Sequence, residues 1–197
     1  MPHRYGLIDQ AQPSGELFLR FCPDFAIDKH LSATAFMNKY WTAYSQLDGK
    51  TNSMNGAIFE LLFSALLINS EVTPFYVQSN VAFVPNVRYD ILLFTLEKGP
   101  VGISLKTSLR ERYKQADLEA YVLKNVHRKS ESFIVTTNVG EASLVNRKIV
   151  NGDLLALNKV FHLGDIGELI AYLSTLTIIA PPSVDVVTGR AIDIAIR

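Results

Sequence analysis

Hydrophobic residues recur with a helical period in two segments of the first half of the chain. In segment 32–47, aromatic side chains stand at every fourth position, namely Phe36, Tyr40 and Tyr44, which predicts an amphipathic helix with Ser32 as its N-cap. Segment 54–70 is apolar on nearly all sides and therefore predicts a buried helix. Residues 1–28 contain three prolines and Gly15, which predicts an irregular N-terminal arm or lid.

Short segments rich in β-branched and aromatic residues follow the second helix. They span residues 73–79, 86–97 and 100–108, and the turn sequence EKGP joins the last two into a predicted β-hairpin. Farther along, the pattern predicts a helix at 110–127, a strand at 132–138, a helix at 140–152, a strand at 159–164, a helix at 165–176 capped by Asp165, and a terminal hairpin within 181–197.

The order of these elements predicts the fold class. A hairpin requires antiparallel strands, whereas a strand–helix–strand step requires a parallel pair. We therefore expect an α/β fold in which a mixed β-sheet is flanked by helices. A length of 197 residues fits one domain, and the sequence contains no repeat and no clear linker.

Composition narrows the class of protein. The 19 basic and 19 acidic residues give a formal net charge of zero, so a nucleic-acid partner would bind a local patch rather than a polybasic surface. The single cysteine, Cys22, excludes an internal disulfide and a cysteine-rich zinc site. No signal peptide is visible, and the longest apolar run, 61–68, is far shorter than the roughly 18–20 residues of a membrane span. We expect a cytoplasmic protein without a membrane partner.

Three charged residues occur where the pattern calls for apolar ones. Glu60 lies inside the apolar helix, Asp90 at the head of a strand, and Lys106 at the end of the next strand of the hairpin. Burying any of them unpaired would cost several kcal/mol. The hairpin brings Asp90 and Lys106 to the same end, because the turn lies about midway between them. Carboxylates beside a lysine suit a hard divalent cation and an attacking water.

A plainer interpretation of the same residues remains open. An Asp–Lys pair across a hairpin is also a common surface contact, and Glu60 could reach solvent from its helix. The triplet Arg110-Glu111-Arg112 favours a functional interpretation, because arginine donates to guanine O6 and N7 and a carboxylate accepts from cytosine N4. The alternative for this triplet is a set of solvent-exposed ion pairs.

The stretch from Lys106 to Glu119 resembles a known family, the type II restriction endonucleases of the PD-(D/E)XK superfamily that recognise palindromes with a CC/GG core. That group carries a lysine, three residues, and then Arg/Lys-Asp/Glu-Arg, as KTSLRER does here. It also displaces its second acidic residue to the thirteenth position after the lysine, which is Glu119 in this chain. The similarity covers roughly residues 54–138, the expected catalytic core, and implies a restriction-endonuclease-like fold.

The resemblance implies a role for each of these residues. Asp90 and Glu119 would hold the metal, Lys106 would position or activate the water, and Glu60 would support the centre as an upstream helix glutamate. The three residues of the Arg-Glu-Arg triplet would read bases. For Glu119 the alternative is an exposed helix glutamate, and for Glu60 a buried structural acid.

The implied activity is Mg²⁺-dependent cleavage of double-stranded DNA at a site such as CCGG, CCNGG or CCWGG. A palindrome carries one scissile phosphate per strand, so we expect a homodimer, with a monomer that cuts the strands in turn as the alternative. No small-molecule cofactor is expected, because the sequence contains no Gly-rich phosphate loop and no nucleophile elbow.

Two features depart from the superfamily pattern. Tyr89 stands where a proline often precedes the catalytic aspartate, and Ser104 stands where most members carry the second acidic residue. Ser104 keeps open the alternative of a DNA-binding protein with an inactive centre. A repair or recombination nuclease of the same fold is a further alternative, but it would not need the Arg-Glu-Arg triplet at this offset from Lys106.

Overall fold

The computed structural model of the chain describes residues 5–8 and 12–183. The helices in this part of the chain are α1 (Pro13–Phe21), α2 (Ala33–Ser45), α3 (Asn52–Asn69), α4 (Arg112–Val126), α5 (Val139–Val150) and α6 (Ile166–Leu173), with a 3₁₀ turn at Phe25–Asp28. The strands are β1 (Tyr76–Asn80), β2 (Arg88–Thr95), β3 (Gly99–Lys106), β4 (Glu131–Thr136) and β5 (Lys159–His162).

The five strands form one mixed sheet in the order β1-β2-β3-β4-β5. β1, β2 and β3 pair antiparallel, and β3, β4 and β5 pair parallel. The parallel pairs follow from the crossovers through α4 and α5, whereas the tight turn between β2 and β3 produces the antiparallel hairpin. The predicted α/β fold with a mixed sheet and the predicted hairpin are both confirmed.

Helices cover both faces of the sheet. The main core contains the apolar side of α3, where Ile58, Phe59 and Leu62 are fully buried, and it extends to residues of α1, α2 and α6. On the opposite face, α4 and α5 pack around a second cluster that includes Ile134 of β4 and Val160 of β5. A third cluster joins Tyr89 and Leu92 of β2 to Leu123 of α4. The strand residues are therefore buried on both faces of the sheet, which fixes its register.

The helix predicted at 32–47 is confirmed as α2, and its Ser32 side chain accepts a hydrogen bond from the backbone N–H of Ala35. Its aromatic stripe of Phe36, Tyr40 and Tyr44 is part of the main core. Tyr44 is buried, and the Tyr40 hydroxyl donates to Oδ2 of Asp28 at 2.6 Å.

The prediction of irregular structure over residues 1–28 is wrong for Pro13–Phe21, which is helical, and for the 3₁₀ turn at Phe25–Asp28. Pro13 begins α1. A proline is tolerated in the first helical turn because the N–H that it lacks would have no acceptor within the helix. Phe18, Cys22 and Phe25 are then buried in the main core, so this segment packs as part of the domain.

The side-chain cap predicted for α6 is not formed. Asp165 precedes α6, but its side chain accepts from the backbone N–H of His162 and makes no capping bond to the helix. The predicted terminal hairpin lies mostly at 184–197, outside the described residues. Within the described ranges, no helix is long and apolar enough to cross a bilayer.

The packing of Gly102 against Tyr89 gives a test of the fold. A Cβ atom added at Gly102 would lie 2.4 Å from the Tyr89 ring, which is buried and hydrogen bonds to the Ser132 hydroxyl at 2.8 Å. We expect Gly102→Ala to lower the free energy of unfolding by about 1–3 kcal/mol in chemical denaturation. Gly56→Ala is the matched control, since its Cβ meets open space on α3, and it should raise stability by up to about 1 kcal/mol. Equal effects of the two substitutions would contradict this packing.

Candidate active site

The hairpin strands separate at Asp90. The pairing of β2 with β3 extends from Thr95–Gly99 to Ile91–Ile103, and Asp90 precedes the last of these pairs. The backbone N–H of Leu105 donates to Oδ2 of Asp90 at 2.6 Å. A side-chain carboxylate thus accepts a strand N–H where the backbone ladder has ended, and this bond orients Asp90.

Lys106 completes this arrangement. Its Nζ atom lies 2.8 Å from Oδ2 of Asp90. The two side chains are only 28% and 17% exposed, so solvent screens this ion pair less than a surface pair. The expected proximity of Asp90 and Lys106 at one end of the hairpin is confirmed.

Gln78 joins Glu60 to Asp90, a connection that the sequence analysis missed. Its Nε2 atom donates to Oε2 of Glu60 and, at 3.0 Å, to Oδ1 of Asp90. Gln78 lies in β1 between the paired residues Val77 and Ser79, opposite Asp90. Its φ of 47° is in the left-handed region, which costs a residue other than glycine about 1–3 kcal/mol.

Burial and mutual repulsion act on the carboxyl groups around this centre. The pKa of Glu60 is raised, first by burial and further by the charge of Asp90, although the Gln78 hydrogen bond opposes the shift. Burial also raises the pKa of Glu119, and the charges of Lys106 and Asp90 act on it in opposite directions. Glu119 therefore lies within electrostatic range of the Asp90–Lys106 pair, and its own hydrogen bond comes from Nε2 of Gln115 on α4 at 2.8 Å.

A groove of about 840 Å³ brings most of the predicted site residues together. The predicted residues along its wall are Glu60, Asp90, Lys106, Arg110, Glu111 and Arg112. Glu119 is not among the described residues that line it. The groove thus unites the ion pair with the Arg-Glu-Arg triplet.

The triplet lies mainly on the loop before α4 rather than inside the helix. The helix predicted from about 110 to 127 is confirmed as α4, but it begins at Arg112, and Arg110 before it has a φ of 42°. The guanidinium of Arg112 donates to the backbone carbonyl of Ser108 at 2.6 Å, and Glu111 forms an ion pair with Lys114. All three side chains of the triplet belong to exposed residues.

Glu141 holds this loop from α5 and was also missed by the sequence analysis. Its carboxylate accepts from the backbone N–H of Leu109 at 2.7 Å, the N–H of Arg110 at 3.2 Å and the hydroxyl of Ser108 at 3.3 Å. These bonds, led by that of Leu109, lower the pKa of Glu141. Asn138 caps α5 by accepting from the N–H of Glu141, so the anchor stands on a well-formed helix end.

The donor set is compatible with Mg²⁺. Asp90 is paired with Lys106, and the charges of both residues act on Glu60 and Glu119; carboxylate oxygens are the ligands that Mg²⁺ prefers. Mg²⁺ keeps several waters and needs only one or two carboxylates. Among the described residues, no three His, Cys, Asp or Glu side chains are grouped closely enough to form a metal cage.

The arrangement of sheet, hairpin and flanking helices is that of a restriction-endonuclease-like fold, as the comparison with solved structures shows. The chain is similar to the restriction endonuclease PspGI in its complex with substrate DNA, with a TM-score of 0.55 and 13% identity over 84% of this chain and 94% of that chain. At this identity the likeness establishes the fold. No protein-family model matches the chain, and no curated protein matches its sequence.

The contacts of Glu141 predict a pH-dependent contribution to stability. Glu141→Gln removes the charge that accepts two backbone N–H groups and should lower the free energy of unfolding at pH 7 by about 1–3 kcal/mol. Because the folded protein depresses the pKa of Glu141, this difference should be complete above the ordinary glutamate pKa and vanish as the pH falls through the lowered value.

Chemical denaturation of both proteins between pH 7 and pH 3 measures this effect. Glu16→Gln, at an exposed position of α1, is the control and should remain close to wild type throughout. A wild-type advantage that stays constant into acid would contradict the role of the Glu141 carboxylate.

Proposed function

We propose that this chain is a Mg²⁺-dependent type II restriction endonuclease that cleaves double-stranded DNA at a short palindrome with a CC/GG core, of the CCGG, CCNGG or CCWGG type. The observation that carries the proposal is the shared groove, which is lined by both the Asp90–Lys106 ion pair and the Arg-Glu-Arg triplet. A phosphate at Lys106 and base edges at the triplet could be contacted by one bound duplex.

The chemistry proposed for the centre is attack of water on a phosphodiester, which leaves a 5′-phosphate and a 3′-hydroxyl. Lys106, partly buried and oriented by Asp90, orients the water and offsets negative charge on the phosphate. Asp90 and Glu119 are the proposed metal ligands, and Glu60 supports Asp90. When bound, Mg²⁺ would supply further positive charge at the phosphate and make water a stronger acid.

Base recognition is assigned to the loop between β3 and α4. Arg110 and Arg112 have donors for guanine O6 and N7, and Glu111 has an acceptor for cytosine N4. Glu141 anchors the backbone of this loop only a few residues beyond Lys106, which would restrict movement of the triplet relative to the lysine. Glu111 and Arg112 would exchange their present partners, Lys114 and the Ser108 carbonyl, for bases.

The fold supports a duplex DNA partner, since the similar PspGI structure is a complex with substrate DNA. A palindromic site presents the same scissile phosphate on each strand. Two copies of the chain related by a two-fold axis would place one centre at each strand, so the proposed active form is a homodimer. A monomer would have to cut the strands one after the other.

Digestion of unmethylated plasmid DNA in Mg²⁺ tests the proposal. Wild-type protein should produce discrete fragments whose sequenced ends share a CC/GG core, and removal of metal by a chelator should stop cleavage. Lys106→Ala should slow cleavage by about 10²–10³-fold or more, because it removes the cation beside the phosphate. Lys129→Ala is the control, since Lys129 is exposed and precedes β4 at the opposite end of the sheet, and it should cut at the wild-type rate.

The same digestion separates the second candidate, a DNA-binding protein with an inactive centre. Ser104 favours that candidate, because it is 3% exposed and stands two residues before Lys106 where a second carboxylate is common. Intact DNA together with tight binding of CC/GG duplexes would establish it and reject the nuclease. Fragments whose ends share no sequence would instead reject site-specific cleavage.

Arg110→Lys tests base recognition separately from charge. Lysine keeps the positive charge but cannot form the bidentate hydrogen bond of a guanidinium. The affinity for a CC/GG duplex should therefore fall toward that for a scrambled duplex. We expect the dissociation constant for the scrambled duplex, divided by that for the CC/GG duplex, to fall by about 10–100-fold. Both constants are measured in the Lys106→Ala background to prevent cleavage. Arg128→Lys, at another exposed arginine, should leave the ratio unchanged. An unchanged ratio for Arg110→Lys would remove Arg110 from base recognition.

A further inference from the structure

The backbone of Gln78 is unusual for its position. Residues on either side of it pair regularly with β2, Val77 with Ile91 and Ser79 with Tyr89, but Gln78 has a φ of 47°. Glutamine has no side-chain preference for this left-handed conformation, unlike glycine or asparagine. Nε of Arg88 donates to the Gln78 carbonyl at 3.0 Å, which helps to hold the strand in this shape.

This conformation places one neutral amide between two carboxylates. Nε2 of Gln78 has two hydrogens, and it donates to Oε2 of Glu60 and to Oδ1 of Asp90. If the amide were rotated by 180°, its oxygen, which can only accept, would face the two carboxylate oxygens, so the observed orientation is the one that forms hydrogen bonds. The other oxygen of Asp90, Oδ2, accepts from the Leu105 N–H and from Lys106, so Gln78 holds Asp90 from the remaining side.

Glu60 is thereby connected to Asp90 through Gln78. The amide donates to both carboxylates without adding a charge, so it links them while leaving Lys106 as the cation of the ion pair. Groups that hydrogen bond to a metal-binding or catalytic carboxylate commonly fix its orientation.

We infer that Gln78 is a positioning residue: its amide, anchored on Glu60, fixes the orientation of the Asp90 carboxylate for the cleavage reaction. The inference rests on the proposed function and extends it, because it assigns Glu60 an action through Gln78 rather than as a direct metal ligand. The left-handed backbone at Gln78 is the conformation that brings its amide to both carboxylates.

Two substitutions distinguish the effect of the side-chain amide of Gln78 from the effect of its backbone conformation. Gln78→Gly suits the positive φ and removes the amide, and Gln78→Asn tolerates the same φ but is one methylene too short. Relief of the positive φ should offset the lost hydrogen bonds, so both should fold with a midpoint of unfolding close to that of wild type and bind duplex DNA without metal within about twofold of wild type. Both should slow single-turnover cleavage by about 10–100-fold. Asn86→Gly, at another exposed residue with positive φ, is the matched control and should cleave at the wild-type rate.

A double-mutant cycle tests the connection to Glu60. If Glu60 acts through Gln78, the protein carrying Glu60→Ala and Gln78→Gly should cleave no more slowly than the slower single variant. Rate losses that multiply would overturn the inference. So would wild-type cleavage by Gln78→Gly, or a lowered unfolding midpoint with an unchanged rate per folded molecule.

Hydrogen exchange gives a readout that does not depend on cleavage. The Leu105 amide donates to Asp90, so it should exchange at least about threefold faster in Gln78→Gly than in wild type if Gln78 orients that carboxylate. Unchanged exchange would reject the positioning role even if the wild-type protein proves to be a nuclease. Conversely, a wild-type protein that does not cleave DNA, but whose Leu105 amide responds to Gln78→Gly, would reject the proposed function and retain the link between Gln78 and Asp90.

Discussion

The carboxylate of Asp90 is the group on which the rest of the candidate site depends. One of its oxygens accepts both a backbone N–H of β3 and the Lys106 ammonium, and the other accepts from Gln78 of β1. Three adjacent strands thus meet at one side chain, at the point where the hairpin ladder ends. A partly buried carboxylate tolerates this position only because donors surround it, since an unpaired charge there would carry a large desolvation penalty. Removing any one donor would therefore leave the orientation of the Asp90 carboxylate less well defined.

The surrounding fold makes that arrangement rigid. α3 presents Glu60 from a buried helix within the main core, and β3 is buried along almost its whole length. Beyond Lys106 the chain leaves the sheet, where regular backbone bonds no longer define its path. The Glu141 carboxylate, in the first turn of α5, accepts hydrogen bonds from two backbone amides of that loop. The loop that carries the Arg-Glu-Arg triplet is thus attached to the same sheet that positions Asp90 and Lys106.

The sequence predicted those features whose cause is local or periodic. The stripe of Phe36 and Tyr40 predicted α2, and the EKGP turn predicted the hairpin, because each signal lies within one element. Gln78 and Glu141 gave no such signal: both are polar residues near the surface, and their partners, Asp90 and Leu109, lie 12 and 32 residues away in the chain. Pro13 was misleading for another reason. A proline breaks a helix interior but suits its first turn, and only the burial of the residues after it distinguishes the two cases.

The position of the second acidic residue also has a physical explanation within the proposed site. Position 104 is nearly fully buried, so a carboxylate there would lose most of its hydration beside the charge of Asp90. Glu119 stands instead on α4, where it retains partial exposure and a hydrogen bond from Gln115 while the charges of Lys106 and Asp90 still act on it. A helix can present a carboxylate toward the end of the sheet without placing its charge inside the strand layer. Serine at position 104 is thus compatible with an acidic centre, provided that the helix supplies the missing carboxylate.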